Sequence, residues 1–230
     1  MRSVLTIISY TFLQQFRNRL YLVVVFFGCV LLAVSLLFGA VAADQEVRVI
    51  LDLGLAMTEF FGLLTAIFGA VTLVLEEMES RTIYLILTRP LPRGYYILGR
   101  FLGLLSAVAA SMLLMGVLHL LLLGLKGWEW DFRYFVCYPP MFFKVMVISS
   151  LALFFSLFSS SAVSSVVFTF FFWVLGHFGP ELKFLAQKNQ NLPMTVGTKI
   201  FLFITPDLQM LNYRDFFHVP GLSAAHVLPG

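Results

Sequence analysis

Residues 20–43 read LYLVVVFFGCVLLAVSLLFGAVAA, an unbroken apolar run that contains no charged side chain. A helix needs about 20 mostly apolar residues to cross the hydrocarbon core of a bilayer. The run is therefore long enough to span a membrane, and it is too long for the core of a cleavable signal peptide. It predicts a first transmembrane helix.

Four more runs of the same kind follow, at residues 53–75, 97–125, 141–159 and 162–179. Only the segment 159–161, three serines, separates the last two runs, so we expect them to form a tight antiparallel hairpin. The predicted fold class is an all-α integral membrane protein. Residues 1–230 would form a single transmembrane domain with five evident spans.

The composition of the whole chain agrees with this class. Hydrophobic residues make up 60% of the 230 residues, charged residues make up only 12%, and the mean hydropathy is +0.94. Soluble domains carry about 25% charged residues, so a soluble enzyme, a disordered chain and a nucleic-acid-binding domain are excluded. The net charge of +3 is too small to indicate an anionic partner. Cys29 lies inside the first run and Cys137 lies near the start of the fourth, so we expect small buried hydrophobic residues rather than a disulfide.

The segment before the first span has a different pattern. Apolar residues recur there at intervals of three or four, while most polar residues fall on other faces. The apolar positions are Val4, Leu5, Ile8, Phe12, Phe16 and Leu20. This periodicity predicts that residues 1–19 form an amphipathic helix along the membrane interface.

The distribution of arginine and lysine predicts the orientation of the chain. Arginines are concentrated before the first span and in the loop between the second and third spans, and the two other short loops carry fewer basic residues. Because basic loops stay on the cytoplasmic side, we place the N-terminus and residues 76–96 in the cytoplasm. Residues 180–230 would then be extracytoplasmic and would lead toward a further span.

The cytoplasmic loop carries the most informative pattern, since residues 76–93 read EEMESRTIYLILTRPLPR. Ser80 can cap a short helix, and Ile83, Ile86 and Leu87 would form an apolar stripe on it. Two prolines then end the helix. A short amphipathic helix between two spans would act as a rigid lever that presents an apolar ridge to a partner. A solvated loop with orientation-setting arginines would explain the charges but not the stripe.

The start of the third span contains Gly99-x-x-x-Gly103, a spacing that permits close helix packing. Inside the spans, Glu59 is the carboxylate that stands out, because ionisable groups are costly in a bilayer. Both a role in a transport pathway and a structural contact between helices are consistent with its position. No catalytic motif, phosphate-binding loop or metal-ligand spacing is present in the sequence, so we expect no catalytic, cofactor or metal site in this chain.

The loop motif resembles that of the membrane subunits of type 2 ABC transporters, the ABC-2 permeases. The resemblance lies in Glu77-x-Glu79-Ser80-Arg81-Thr82, in Leu87-Thr88-Arg89-Pro90-Leu91-Pro92-Arg93 and in Leu98-Gly99-Arg100. It implies a coupling helix that docks on a separate ATPase subunit, which holds ATP and Mg²⁺. It also implies a second permease subunit, identical or different, an export function, and a location in the bacterial inner membrane.

The residues expected to couple this chain to the ATPase are Glu76, Glu77, Glu79, Arg81, Ile83, Leu87, Arg89, Pro90 and Arg93. The resemblance further implies a sixth span after about residue 224, but the sequence ends at residue 230, so either the sequence is truncated or the subunit has five spans. The mainly apolar spans suit an amphipathic or lipid-linked substrate.

Three other functions remain open from the sequence. An ion- or proton-coupled secondary transporter or channel would use Glu59. An intramembrane enzyme would need a pair such as His119 with Ser106 or Ser111. An assembly subunit without transport activity would use the loop only to recruit an ATPase.

Overall fold

The computed structural model describes residues 2–41, 45–79, 93–128, 131–159, 161–189, 197–199, 201–202 and 205–212. In these ranges the regular elements are helices. They are α1 (Arg2–Arg17), α2 (Arg19–Val41), α3 (Glu46–Glu79), α4 (Arg93–Leu125), α5 (Arg133–Phe158), α6 (Ala162–Leu175), α7 (Gly179–Asn189) and a 3₁₀ helix (Leu208–Leu211).

Four of these helices, α2 to α5, are long and apolar enough to cross a membrane. The prediction of an all-α membrane protein is confirmed. The fifth predicted span is shorter in the structure, because α6 has 14 residues and rises only about 21 Å. The chain turns at Gly176 and His177, and the backbone N–H of Leu208 donates to the Gly176 carbonyl at 3.0 Å.

Helix α3 lies at the centre of the bundle and packs against α2, α4, α5 and α6. Of its most apolar stretch, 72% of the residues are buried, compared with 28% for α2. The principal core combines α3 residues such as Leu55 and Ala66 with Leu104 of α4 and Val145 of α5. The outer surface of α2 is rich in exposed phenylalanine, leucine and valine, as expected for a helix whose solvent is lipid.

Helix α5 begins eight residues before the predicted fourth span, at Arg133 rather than at residue 141, and continues through Pro139 and Pro140. A proline inside a helix removes a backbone hydrogen bond and costs about 3 kcal/mol. The helix persists because Tyr134, Cys137 and Met141 lie on one face and are all at most 3% exposed. The packing of this face offsets the free-energy cost of the two prolines. Helix propensities alone do not predict that the helix continues through them.

Helix α1 packs directly against the start of α4, where the two predicted packing glycines lie. A Cβ atom at Gly103 would be 2.5 Å from Cβ of Thr11 and 2.9 Å from the Ile8 carbonyl oxygen. A Cβ atom at Gly99 would be 2.9 Å from Cγ2 of Ile7. The close approach that the glycine spacing predicts is confirmed, and the partner is α1.

The amphipathic character of α1 is also present, but its polar side faces the protein. Thr11 and Gln15 are 0% and 1% exposed, while Leu5 and Leu13 are 62% and 60% exposed. Because lipid solvates apolar side chains and cannot satisfy polar ones, the polar stripe is buried in the bundle and apolar residues are left outside. Periodicity finds the two faces but does not say which one contacts the protein.

Candidate functional site

A buried arginine joins three helices at one end of the bundle. Arg100 of α4 is 6% exposed and forms an ion pair with Glu77 of α3. Its Nη1 atom donates to Oε1 of Gln14 at 2.7 Å and to Oγ1 of Thr11 at 3.1 Å, both on α1. The guanidinium is therefore bound from two sides, by a carboxylate on α3 and by neutral oxygens on α1.

The carboxylates of α3 have further partners in the same network. The hydroxyl of Tyr96 donates to Oε1 of Glu77 at 2.7 Å, and Nε2 of Gln14 donates to Oε2 of Glu76 at 2.7 Å. We call this network the polar hub. Its members are Thr11, Gln14, Glu76, Glu77, Tyr96 and Arg100.

The contact between α1 and α3 extends beyond the polar hub along both helices. Nε2 of Gln15 donates to the carbonyl of Gly69 at 3.1 Å, and Nδ2 of Asn18 donates to Oγ1 of Thr72 at 3.0 Å. Side-chain amides thus connect α1 to successive turns of α3. These bonds attach the N-terminal helix to α3 in addition to its packing against α4.

The electrostatics of the polar hub favour a rigid joint. Taking a carboxylate and a guanidinium out of water is costly, and the pair is stable only when further hydrogen bonds satisfy both groups. Here Glu77 has Arg100 and Tyr96, while Arg100 has Glu77, Thr11 and Gln14. Moving any one of the three helices away would remove at least one partner from a buried charge.

The structure places two of the predicted coupling residues in the polar hub. Glu76 is exposed and binds Gln14, whereas Glu77 is buried against Arg100, so its carboxylate is bound within this chain. Glu79 ends α3 and Arg93 begins α4. Arg81, Ile83, Leu87, Arg89 and Pro90 lie outside the described residues, so their predicted role stays a prediction.

Several hub residues were not among the predicted site residues. Arg100 was part of the Leu98-Gly99-Arg100 motif but had no predicted role at the site, and neither had Thr11, Gln14 and Tyr96. Gln14 lies on the polar side of a helix otherwise assigned to the interface. Arg100 lies within the Gly99-x-x-x-Gly103 segment. A cation between two glycines that pack against another helix is the sequence signal that could have identified Arg100.

Glu59 has an oppositely charged partner inside the bundle. Nζ of Lys144 on α5 lies 2.5 Å from Oε1 of Glu59 on α3, and the side chains are 3% and 12% exposed. Glu59 stood out in the sequence as an intramembrane carboxylate, and Lys144, which lies inside the predicted fourth span, was missed as its partner. The ion pair gives Glu59 a structural contact between helices, one of the two roles that the sequence left open.

Beside this ion pair is a cavity of about 230 Å³. Its lining includes Glu59 and Lys144 together with Phe60, Trp173, His177 and Asn212. The cavity therefore lies where α3, α5, the end of α6 and the segment around the 3₁₀ helix meet.

His119, the histidine considered for an intramembrane enzyme, is bound to other groups. Its Nε2 atom lies 3.2 Å from the Ile50 carbonyl oxygen, and its Nδ1 atom lies 3.0 Å from the Tyr134 hydroxyl. Because a carbonyl only accepts, Nε2 carries the proton and Nδ1 accepts from Tyr134. The hydroxyls of Ser106 and Ser111 donate to carbonyls of their own helix at 2.7 and 2.8 Å. These contacts favour a structural histidine over a Ser–His pair.

Four long apolar helices in one bundle define the chain as a multi-pass membrane protein. Residues 52–220, well over half of the chain, match the family model described as ABC-2 family transporter protein. The chain therefore belongs to the ABC-2 transporter family, whose members are transmembrane permease subunits that work with an ABC ATPase. A comparison with curated proteins gave no significant match.

Proposed function

We propose that this chain is the membrane-spanning subunit of an ABC exporter, which couples ATP hydrolysis by a separate ATPase subunit to the movement of a substrate. The observation that carries the proposal is the polar hub. It joins the last turn of α3, the first turns of α4 and the N-terminal helix α1. Residues 80–92 connect the two helix ends that the polar hub holds together.

The polar hub converts a push on residues 80–92 into a concerted movement. A force on this segment reaches the ends of α3 and α4, and the buried pair of Glu77 and Arg100 resists their separation. Helix α3 has 34 residues and rises about 51 Å, so a tilt at the polar hub reaches the opposite end of the bundle. ATP-driven closure of the ATPase would thereby change the packing of the central helix.

The proposed docking surface consists of the exposed carboxylate of Glu76 and the segment beyond it. Glu79, Arg81, Arg89 and Arg93 would supply charges, and Ile83 and Leu87 would fill an apolar groove of the ATPase. Pro90 would end the coupling helix. Glu77 would act inside the polar hub rather than at the docking surface.

The remaining components follow from the same proposal. ATP and Mg²⁺ bind the partner ATPase, and two permease subunits, identical or different, enclose the pathway. The subunit resides in the bacterial inner membrane with α1 and residues 80–92 on the cytoplasmic side. Its cargo is amphipathic or lipid-linked, because the spans are mainly apolar.

The test of the assignment is affinity capture of the tagged chain in mild detergent, followed by mass spectrometry. We expect an ABC ATPase to be captured with the wild type and to be lost with the double variant Arg89→Glu and Arg93→Glu. The control is a matched charge reversal in another loop, Lys126→Glu with Arg133→Glu, which should retain the ATPase. Failure to capture an ATPase in several mild detergents, or equal loss in both double variants, contradicts the docking assignment.

Coupling can be separated from docking with smaller changes. Ile83→Ala and Leu87→Ala should leave membrane insertion intact while they abolish the effect of the permease on ATPase activity in co-reconstituted vesicles. Tyr84→Ala, at a position outside the predicted apolar stripe, provides the control. Wild-type ATPase regulation in the Ile83 and Leu87 variants would contradict the lever.

The orientation has its own test, which uses two exposed glycines near the ends of α4. Gly94 and Gly124 have open space where a Cβ atom would lie. In a background with both native cysteines replaced by alanine, Gly124→Cys should react with a membrane-impermeant maleimide in intact cells. Gly94→Cys should react only after the membrane is opened. The reverse pattern contradicts the cytoplasmic placement of the polar hub.

A further inference from the structure

The junction between α1 and α2 carries two positive charges that are not compensated in the part of the chain that the structure describes. Arg17 ends α1 and Arg19 begins α2, and both side chains are exposed. No described carboxylate forms an ion pair with either guanidinium, and those of Glu76 and Glu77 are bound to other members of the polar hub. Because arginine stays protonated at physiological pH, the junction presents both charges to its surroundings.

The fold holds these charges in a fixed place. The helix is interrupted at Asn18, whose side chain donates to a threonine hydroxyl of α3 at 3.0 Å and accepts the backbone N–H of Leu20 at 2.9 Å. Across this interruption the rings of Phe16 and Tyr21 lie 5.4 Å apart, measured between centroids, and the Tyr21 hydroxyl donates to a backbone carbonyl of α4 at 2.7 Å. We call residues 16–20 the elbow. Its contacts with α3 and α4 fix the backbone from which the two arginine side chains extend.

The elbow lies at the edge of the apolar part of the chain. The first predicted span begins at Leu20, and Leu20 is exposed together with Leu13 and Phe16 of α1. Exposed tyrosines, Tyr10 of α1 and Tyr95 of α4, lie at the same end of the bundle, and tyrosine is enriched at the level of the lipid head groups. Long basic side chains at this level keep their stems among apolar groups and direct their charges toward the head groups.

The guanidinium group determines which head groups can bind at the elbow. Its planar N–H donors match two oxygens of a phosphate, and it is more weakly hydrated than an ammonium group. The phosphate of a zwitterionic lipid is balanced by the ammonium of the same lipid. The phosphate of an anionic lipid instead brings a net charge that the two arginines can compensate. Each basic residue near an anionic membrane surface strengthens the attraction about fivefold, so two should favour anionic lipid about 25-fold.

The apolar side chains of this surface favour a lipid over an acidic protein partner. Acidic side chains of a partner would match the two arginines, but they would not match the exposed leucines and the phenylalanine beside them. A phospholipid satisfies both parts of the surface, since its phosphate contacts the guanidinium groups while its acyl chains contact the apolar side chains. Charge and hydropathy thus point to the same ligand.

We propose that the elbow binds an anionic phospholipid, with Arg17 and Arg19 contacting the phosphate oxygens. Gln14 of the polar hub lies about one turn before Arg17 on the same helix, so a bound lipid also restrains the α1 side of the hub. The consequence of this restraint for coupling rests on the proposed function. The lipid binding is a property of this chain alone and is tested without an ATPase.

The first experiment measures which lipid lies beside the elbow. Leu20→Trp places a fluorophore there, in a background in which the three native tryptophans are replaced by phenylalanine. Nanodiscs of phosphatidylcholine receive increasing fractions of dibrominated phosphatidylglycerol or of dibrominated phosphatidylcholine with the same chains. We expect the anionic quencher to bind about 25-fold more strongly than the zwitterionic one. The preference should decrease in 1 M salt, where the screening length falls to about 3 Å.

Variants of the two arginines show whether they cause this preference. Arg17→Gln with Arg19→Gln should abolish it, and the substitution of both by lysine should retain most of it, because the attraction is mainly Coulombic. The control is Lys126→Gln with Arg133→Gln, which removes two basic side chains that are paired with carboxylates and should leave the preference unchanged. Equal quenching by the two brominated lipids in the protein with native arginines overturns the proposal. An unchanged preference after the glutamine substitutions overturns it as well.

The second experiment uses the wild-type chain and needs no reporter substitution. In mixed detergent micelles, phosphatidylglycerol should raise the thermal unfolding temperature in a saturable manner and more than phosphatidylcholine with the same chains, because a ligand of the folded state stabilises it. Arg17→Gln with Arg19→Gln should remove the difference between the two lipids. Inorganic phosphate at the same concentrations should not reproduce the shift. An equal shift with inorganic phosphate would identify a free anion as the ligand and overturn the lipid assignment.

Affinity capture separates this proposal from the proposed function. If the elbow shows no lipid preference and Arg17→Gln with Arg19→Gln loses the ATPase, the elbow contacts the acidic surface of a protein partner and the lipid proposal is overturned. If the anionic preference is present while the wild type captures no ATPase, the proposed function fails and the lipid site stands. We expect the anionic preference together with ATPase capture by both the wild type and this double variant.

Discussion

Two buried ion pairs in the described part of the bundle each join a glutamate to a basic side chain, but their surroundings differ. At one end, Arg100 and Glu77 are enclosed by side chains of α1 and α4 that donate to them or accept from them. Farther along the bundle, Lys144 and Glu59 join α3 to α5 beside a cavity of about 230 Å³. Helix α3 supplies the carboxylate in both cases.

The comparison shows that the surroundings, rather than the pair, determine what a buried charge does. A pair held by several further hydrogen bonds resists displacement, because movement would leave a buried charge in an apolar medium with fewer partners. A pair that faces a cavity can exchange partners with a ligand or with water. We therefore expect the polar hub to behave as a rigid joint and the Glu59–Lys144 pair as an adjustable site.

The largest expected effect follows from breaking the polar hub. Arg100→Met leaves Glu77 buried without its cation, and such a change costs about 3–5 kcal/mol. The measurement is the free energy of unfolding in mixed detergent micelles. Arg133→Met is the control, because Arg133 and Asp131 are paired at 3.3 Å but are 45% and 40% exposed, and exposed pairs contribute less than about 1 kcal/mol. Equal losses in the two variants would contradict a special role for the hub.

The equivalent change at the second pair should have a smaller effect. Lys144→Met should cost about 1.5–3 kcal/mol, the range for a hydrogen bond to a charged group, since Glu59 can be hydrated from the cavity. Adding Glu59→Gln should restore much of the loss, because no unpaired charge then remains. A double-mutant cycle measures this coupling. A loss as large as that of Arg100→Met would remove the distinction between the two pairs.

The packing that brings α1 to the polar hub gives the next effect. Gly103→Ala places a methyl group against Thr11 and the Ile8 carbonyl, and overpacking of this kind costs about 1–2 kcal/mol. It should also make the N-terminal helix more accessible to proteolysis. Gly124→Ala, with open space around it, should cause no loss. If both alanine variants behaved alike, the close approach of α1 to α4 would not contribute to stability.

The smallest change tests a single acceptor of the polar hub. Thr11→Val keeps the shape of a side chain that is 0% exposed and removes the oxygen that binds Arg100, which should cost about 1 kcal/mol. Thr65→Val is the matched control, since this equally buried hydroxyl donates to the carbonyl of Gly62 in its own helix. We expect a smaller loss there, and Thr11→Ser should restore most of the stability. An equal loss at both threonines would show that Arg100 does not need this acceptor.

Much of the fold could be predicted from the chain alone, because the bilayer imposes simple requirements on length and polarity. The predicted spans that begin at Leu20, Leu53 and residue 97 correspond to long helices with similar bounds. The glycine pair in α4 also correctly indicated a close contact between helices. The bounds of α5 and α6 differ from the predicted ones because of tertiary packing. Buried Tyr134 and Cys137 sustain a helix through two prolines, and the turn at Gly176 shortens α6.

The candidate site was predictable only in part. The acidic end of α3 and the basic start of α4 were visible as a charged loop, and Glu59 was visible as an unusual carboxylate. Their partners were not, because Gln14 and Glu76 lie 62 positions apart and Glu59 and Lys144 lie 85 apart. Sequence spacing carries no information about such contacts unless the helices are already arranged in space.

The sequence by itself determined that this protein is a helical membrane protein, because the apolar runs match the thickness of a bilayer. Its loop motif also identified the ABC-2 family. Only the tertiary structure decided which face of α1 is buried and which charges are paired, and it alone revealed a cavity beside the Glu59–Lys144 pair. The physical reason is that membrane insertion depends on the local sum of hydropathy, whereas partners for buried polar groups depend on how distant helices pack.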